Sequence, residues 1–231
     1  VIALEKSGEL LNRSSQIFYA LAGANTNETL QAIEEEMAPK FAAQKDMIYL
    51  NDKLFKRLKT LHNKKESLNL DSESLKLLEE YYEDFEIAGA NLSSEDKEKL
   101  KQYNETIATL TTKFGKTLLD ANNAGAVTFT NKEDLAGVDE DFLKSKENKD
   151  GTGWKIPLQN TTQQPLLQSM QNRASREKLF KAAWHRADHG ANDTRDLIKQ
   201  LVEVRAQKAK LLGFNNYAEW SLQKTMAKTP E

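Results

Sequence analysis

A chain of 231 residues has room for one large domain or two small ones, and for a sizeable core. Its 33 Lys and Arg stand against 35 Asp and Glu, a formal net charge of -2 that gives no pull towards nucleic acid or an anionic membrane. There is no cysteine, which excludes disulfides and thiolate metal sites and suits a reducing compartment, and no apolar run approaches the roughly 20 residues of a membrane span.

Charged residues make up 29% and there are only 10 Gly and 4 Pro, a composition that suits long solvated helices better than a β-sandwich. No secretory leader is visible, and the first residue is Val1 rather than Met, so the natural start is expected upstream. In chain order, Met47, Leu50, Leu54, Leu58 and Leu61 recur at gaps of three and four and so share one helix face. Pro39 lacks a backbone donor and would clash with the turn before it. The pattern therefore predicts two helices, at about 28–36 and about 39–62, with Pro39 in the first turn of the second.

Asp71-Ser72-Glu73-Ser74 is acidic and hydroxyl-rich, as a helix start should be. Leu75, Leu78, Tyr82 and Phe85 follow on one face, and Gly89-Ala90-Asn91 is the expected stop. Ser93-Ser94-Glu95-Asp96 opens another helix, with Ser93 and Asp96 resembling a capping box in which Asp replaces Glu. Its stripe of Leu100, Tyr103, Ile107, Leu110, Phe114 and Leu118 is a near-heptad seam. A helix of about 29 residues would be about 44 Å long. The short turn between the two predicts a long antiparallel helical hairpin over about 71–123.

The pattern changes at Ala124. Ala126-Val127-Thr128-Phe129-Thr130 alternates and is β-branched, which predicts a strand. Trp154-Lys155-Ile156-Pro157-Leu158 is its expected partner, with Pro157 confining it to an edge or a strand end. Between them, Asn131 to Leu143 reads as one or two short helices and Lys144 to Gly153 as an exposed loop. Helices are expected at about 163–172, 174–188 and 194–212, the last ended by Gly213, with a short one at about 214–223. Thr229-Pro230-Glu231 carries a capping residue, then Pro, then an acid, the signals of a further helix start, so the chain is expected to be cut from something longer.

The residues that could carry chemistry are few. Among three histidines, His185 and His189 lie four apart on a predicted helix, the spacing at which two imidazoles can face one zinc ion. A His-Glu-x-x-His site needs Glu directly after the first His as general base, and here Arg186 stands there. His185 and His189, like His62, are therefore read as surface residues near helix C-termini, where partial positive charge is favoured. The acidic runs Glu34-Glu35-Glu36 and Glu79-Glu80 with Glu83-Asp84 read as solvated helix faces. No nucleophile elbow, phosphate loop or dinucleotide fingerprint is present. Trp154, Trp184 and Trp220 are each expected to pack in a core. Arg173, Arg176 and Arg186, with Asp188, Asp193, Asp196 and Glu203 and then Arg195 and Arg205, suggest an Arg–carboxylate network between two helices or ordinary surface pairing, structural in either case.

Several long strings carry a resemblance. They are Leu158-Gln159-Asn160-Thr161-Thr162-Gln163-Gln164-Pro165, Asn172-Arg173-Ala174-Ser175-Arg176-Glu177-Lys178-Leu179-Phe180 and Ala191-Asn192-Asp193-Thr194-Arg195. Leu201 to Ala209, Leu212-Gly213-Phe214-Asn215-Asn216-Tyr217-Ala218 and Met226-Ala227-Lys228-Thr229-Pro230 follow in order, and Asn51 to Leu58 and Gly89-Ala90-Asn91-Leu92 fit further upstream. Together they resemble the thimet oligopeptidase and neurolysin family of zinc metallopeptidases, and within it the bacterial peptidyl-dipeptidase (dipeptidyl carboxypeptidase) branch.

The resemblance implies the N-terminal portion of a parent roughly three times this length, with one large helical fold. It implies a zinc held by a His-Glu-x-x-His helix and a downstream Glu, all beyond Glu231, so no catalytic or metal residue is carried over to this chain and its substrate-binding residues are unknown. The N-terminal helices of that family wall a narrow channel that admits flexible peptides. On that reading 1–124 is a helical region with the channel-wall hairpin, 125–159 a small β element with an exposed loop, and 160–231 a helical region continuing into a catalytic half. The expected fold class is mainly α, an incomplete part of a larger helical peptidase. Expected partners of the parent are short peptides and that missing half, with no nucleic acid and no membrane, and its expected location is the cytoplasm. The isolated piece is expected to be inactive, to hold no zinc of its own, and to expose apolar surface where the missing half would pack. Two alternatives stay open: an oligopeptidase of the same family that cleaves internally, and a non-enzymatic module whose amphipathic hairpin is itself a binding surface.

Overall fold

The computed structural model describes every residue, Val1–Glu231, and the chain is mainly α. The helices are α1 (Ile2–Glu5), α2 (Glu9–Ala24), α3 (Glu28–Tyr49), α4 (Asp52–Asn63), α5 (Ser72–Ala88), α6 (Ser94–Ala124), α7 (Glu140–Lys146), α8 (Asn160–Ser169), α9 (Arg173–Trp184), α10 (Arg195–Leu211) and α11 (Tyr217–Leu222). Two short strands, β1 (Val127–Phe129) and β2 (Trp154–Ile156), form the sheet. The chain divides into two compact units, Val1–Thr112 with Gln200–Glu231, and Lys113–Lys199. No helix is long and apolar enough to cross a membrane.

In the first unit, side-chain oxygens start the helices. Asn27, Asn51 and Asp71 each accept from a backbone N–H three residues on, at 3.0, 2.9 and 2.9 Å, which satisfies donors the helix itself leaves unpaired. Ser93 Oγ accepts from the Asp96 N–H at 3.1 Å. The return bond of the expected box differs: Asp96 accepts from the Ser93 hydroxyl at 2.9 Å, because its side chain is one methylene shorter than Glu. At the other end of α5, Gly89 takes φ +100, and its N–H and that of Ala90 bond to the carbonyls of Glu86 and Phe85. A Cβ there would stand 2.8 Å from Leu100 and 2.9 Å from Leu212, so both conformation and packing require glycine.

The expected break at Pro39 does not occur, and α3 runs through it to Tyr49. The missing donor removes one backbone bond, while aromatic packing on the far side, Tyr19 against Phe41 at 6.0 Å, supports the continuing helix. The break comes at Leu50, where Asn51 offers a cap. Met47 and Leu61, expected on a shared apolar face, are accordingly 74% and 39% exposed. The core of this unit lies between α4 and α5: Phe55 and Leu58 meet Leu78 and Phe85, with the Phe55 and Phe85 rings stacked at 6.0 Å. Both arms of the expected hairpin are continuous helix, but the two do not pair along their length: the apolar face of α5 packs on α4 and not on α6. The α11 segment docks through Trp220, whose Nε1–H donates to the Ile87 carbonyl at 3.0 Å.

The second unit has one apolar core. The strands pair antiparallel, Val127 with Ile156, Thr128 with Lys155 and Phe129 with Trp154. Val127, Phe129, Ile156 and Leu158 then pack on Leu166, Met170, Leu179 and Ala183 of the α8–α9 region. Lys178 of α9 donates to the Thr128 carbonyl at 3.0 Å and lies over the Phe129 ring at 4.9 Å. Gly153 holds φ +128, and a Cβ there would fall 2.1 Å from the Phe129 carbonyl oxygen, so only glycine lets the loop re-enter the sheet. Part of the expected loop is the end of α7, and α8 and α9 end earlier than their patterns suggest, at Ser169 and Trp184.

The guanidinium groups explain those ends, and here the expected Arg–carboxylate network between helices gives way to a different arrangement. Arg176 donates to the carbonyls of Met170 and Gln171 at 2.7 and 2.9 Å, and Arg186 donates to that of Ala183 at 3.0 Å. Both stabilise carbonyls that a helix end leaves unpaired. Arg195 pairs with Asp193, two residues away on the same strand of chain, at 2.6 Å, and Arg205 lies 5.2 Å over the Tyr217 ring.

Candidate functional site

The histidines do not form a helical pair. Because α9 stops at Trp184, His185 is its C-cap and His189 sits on extended backbone beyond it. Their Nδ1 atoms converge on one carboxylate, Asp188, at 2.6 and 2.7 Å. These contacts hold the Asp188 carboxyl below its ordinary pKa, the His189 bond first and the His185 bond second. Arg186 turns back to the helix end. No group of three His, Cys, Asp or Glu is placed to hold an ion, so the residues here do not fit a zinc site. His62 stacks on Tyr82 with ring centroids 3.9 Å apart and planes nearly parallel at 4°.

A second feature lies beside this turn. A cavity of about 570 Å³ opens between α8, α9 and the start of α10. Phe180 and Trp184 form one wall, their rings stacked at 5.6 Å, with Leu167 and Ile198 adding apolar surface. Trp184 is 73% exposed, Phe180 49% and Ile198 46%, so the expectation that Trp184 packs in a core is corrected. The reason is phase: Leu179 and Ala183 occupy the inward face of α9, and residues one further along point outward. Gln163 also lines the cavity. It is only 4% exposed, and its Oε1 has no hydrogen-bond partner, which costs about 1–3 kcal/mol for a buried acceptor. Neither Gln163 nor the aromatic pair stood out in sequence; two large rings four apart on an otherwise charged helix face were the available signal.

The first unit contains a buried ionisable cluster. Asp46 is 7% exposed and accepts from Asn104 at 2.8 Å. Burial pushes its pKa up, while the Asn104 bond and the ammonium of Lys208 oppose the shift. Lys208 lies 4.2 Å over the Trp220 ring, and burial lowers its pKa to about 8. The Asn104 bond ties α6 to α3, and Lys208 of α10 faces the same carboxylate.

Residues 166–231 match the family model of peptidase family M3. Over its whole length the chain is 46% identical to dipeptidyl carboxypeptidase of Escherichia coli strain K12 and 44% identical to that of Salmonella typhimurium strain LT2. It is 26% identical, again over 100% of the chain, to oligopeptidase A of Haemophilus influenzae. The chain belongs to peptidase family M3. It spans 35% of the length of each of these three relatives. The M3 match takes in Leu167, Phe180, Trp184 and Ile198, so most of the apolar lining of the cavity lies in the matched stretch.

Proposed function

We propose that this chain is the channel-forming part of a zinc metallopeptidase that removes dipeptides from the C-terminus of oligopeptides. The groups that hold the zinc belong, on this reading, to polypeptide outside residues 1–231. The observation that carries it is the ordering of identities: 46% and 44% with the dipeptidyl carboxypeptidases, against 26% with oligopeptidase A, each over the whole chain. Residues 1–124 supply a wall that admits flexible peptides, 125–159 a small β brace, and 160–231 the passage into the catalytic part. No step of peptide hydrolysis is assigned to these residues, and the chain by itself is expected to be inactive. Short peptides are the substrates and the cytoplasm the expected location.

The test is the product of the full reading frame, assayed with a tetrapeptide and its C-terminal amide. Release of a C-terminal dipeptide from the free acid, with the amide spared, supports the reading, because a dipeptidase of this kind must recognise the terminal carboxylate. Internal cleavage of both peptides would place the protein with the oligopeptidases. A reading frame without a His-Glu-x-x-His downstream of Glu231, and no cleavage of either peptide, would favour the interaction module.

A further inference from the structure

The cavity beside α9 combines three properties that together call for an occupant. Its wall is a stacked aromatic pair held largely in solvent, Phe180 with Trp184. Its floor includes a side chain more than nine-tenths buried, Gln163, with an unpartnered acceptor. Its volume, about 570 Å³, holds a large side chain with neighbouring backbone. An exposed apolar surface of this kind marks an interaction site, and an unpaired acceptor at its base asks for a donor.

We propose that this cavity seats a polypeptide segment from the part of the relatives' length that this chain does not span. The segment places an apolar side chain between Trp184 and Ile198 and donates a hydrogen bond to Gln163. The inference rests on the reading above, that the chain works as part of a longer peptidase. Length argues for this occupant: the chain spans 35% of relatives to which it is similar from end to end, so most of their polypeptide remains to be packed against it. The chemistry agrees. Polypeptide brings an N–H donor beside every apolar side chain, which matches an amide acceptor at the base of an apolar slot. Gln163 Oε1 is closed off in the chain alone, so the incoming donor reaches it only after the amide turns about its last bond, a soft two-fold torsion. Arg186 and Arg195 also line the cavity, and each guanidinium keeps N–H groups beyond those given to Ala183 and Asp193 for carbonyls of the incoming segment.

The experiment compares two proteins without altering the cavity: the 231-residue chain alone, and Escherichia coli dipeptidyl carboxypeptidase in which the aligned stretch is replaced by this chain. Hydroxyl-radical footprinting reads the oxidation rate of Trp184 and Phe180 in each. In the chimera the Trp184 rate should fall by about tenfold, as expected when an exposed side chain enters an interface core. Equal rates in the two proteins overturn the proposal. Protection in the isolated chain that grows with its concentration also overturns it, and assigns the cavity to a second copy. Peptidase activity separates the two readings. A chimera that releases dipeptides with Trp184 still exposed removes only the seat. One with Trp184 protected but no dipeptide release keeps the seat and counts against the peptidase reading.

Discussion

The two compact units bury different kinds of polar group. The unit of Val1–Thr112 with Gln200–Glu231 buries ionisable ones: Asp46, Lys97, whose ammonium meets the Asp52 carboxylate, and the partly buried Lys208. The unit of Lys113–Lys199 buries neutral ones, Gln163, Ser175 and Thr194, around a continuous apolar core. Charge in a low-dielectric setting makes the first unit sensitive to pH. The second holds its sheet and its cavity by packing and backbone bonding, which do not titrate.

Core truncations should break this comparison most forcefully. Phe85 and Leu179 are both 0% exposed, one in each unit. Phe85→Ala is expected to cost about 3–5 kcal/mol and Leu179→Ala about 2–5 kcal/mol. Hydrogen exchange should show each loss concentrated in its own unit; equal loss of protection in both would mean that the units do not unfold separately. Next in size is Gly153→Ala, which forces an L-residue into a left-handed conformation against the Phe129 carbonyl. A cost of at least about 1–3 kcal/mol is expected from the strained backbone alone, read as a lower midpoint in urea. An unchanged midpoint would remove the argument that the loop is pinned to the sheet.

The smallest effect is the pH dependence of the first unit. Burial lowers the Lys208 pKa from 10.5 to about 8, with Lys45 and Arg205 adding to the shift and Asp46 opposing it. The unfolded chain therefore binds more protons than the folded one between those values, so the contribution of Lys208 to stability rises with pH across that window. Tyr82, pushed up to about 12 by burial and its bond to Glu86, acts in the opposite sense above the ordinary tyrosine range, at about 10. From pH about 8 to about 10 the difference in urea midpoint between the chain and Lys208→Met should change, with the native chain gaining. Parallel curves would show that Lys208 is not desolvated.

Much of the fold was legible because local signals and tertiary packing agree. Asp71 and Gly89 bound α5 as their chemistry dictates, the alternating runs at Val127 and Trp154 pair as strands, and Gly213 ends α10 with its N–H on the Lys210 carbonyl at 3.0 Å. The failures have different causes, a contact distant in sequence at Pro39 and a local side-chain bond at the end of α9. Pro39 is carried inside α3, where packing resumes at once. The end of α9 at Trp184, with Arg186 turned back on Ala183, is what separates His185 from His189. Gln163 was invisible as a site residue because nothing in a string of Gln, Asn and Thr says which amide will be buried.

The most direct test of the account is elemental analysis of the purified 231-residue chain after exposure to zinc, with a peptidase assay on the same sample. The account predicts no stoichiometric zinc and no dipeptide release, because His185 and His189 have no third ligand placed beside them to complete a site. One tightly held zinc per chain, lost in His185→Ala or His189→Ala, would contradict it.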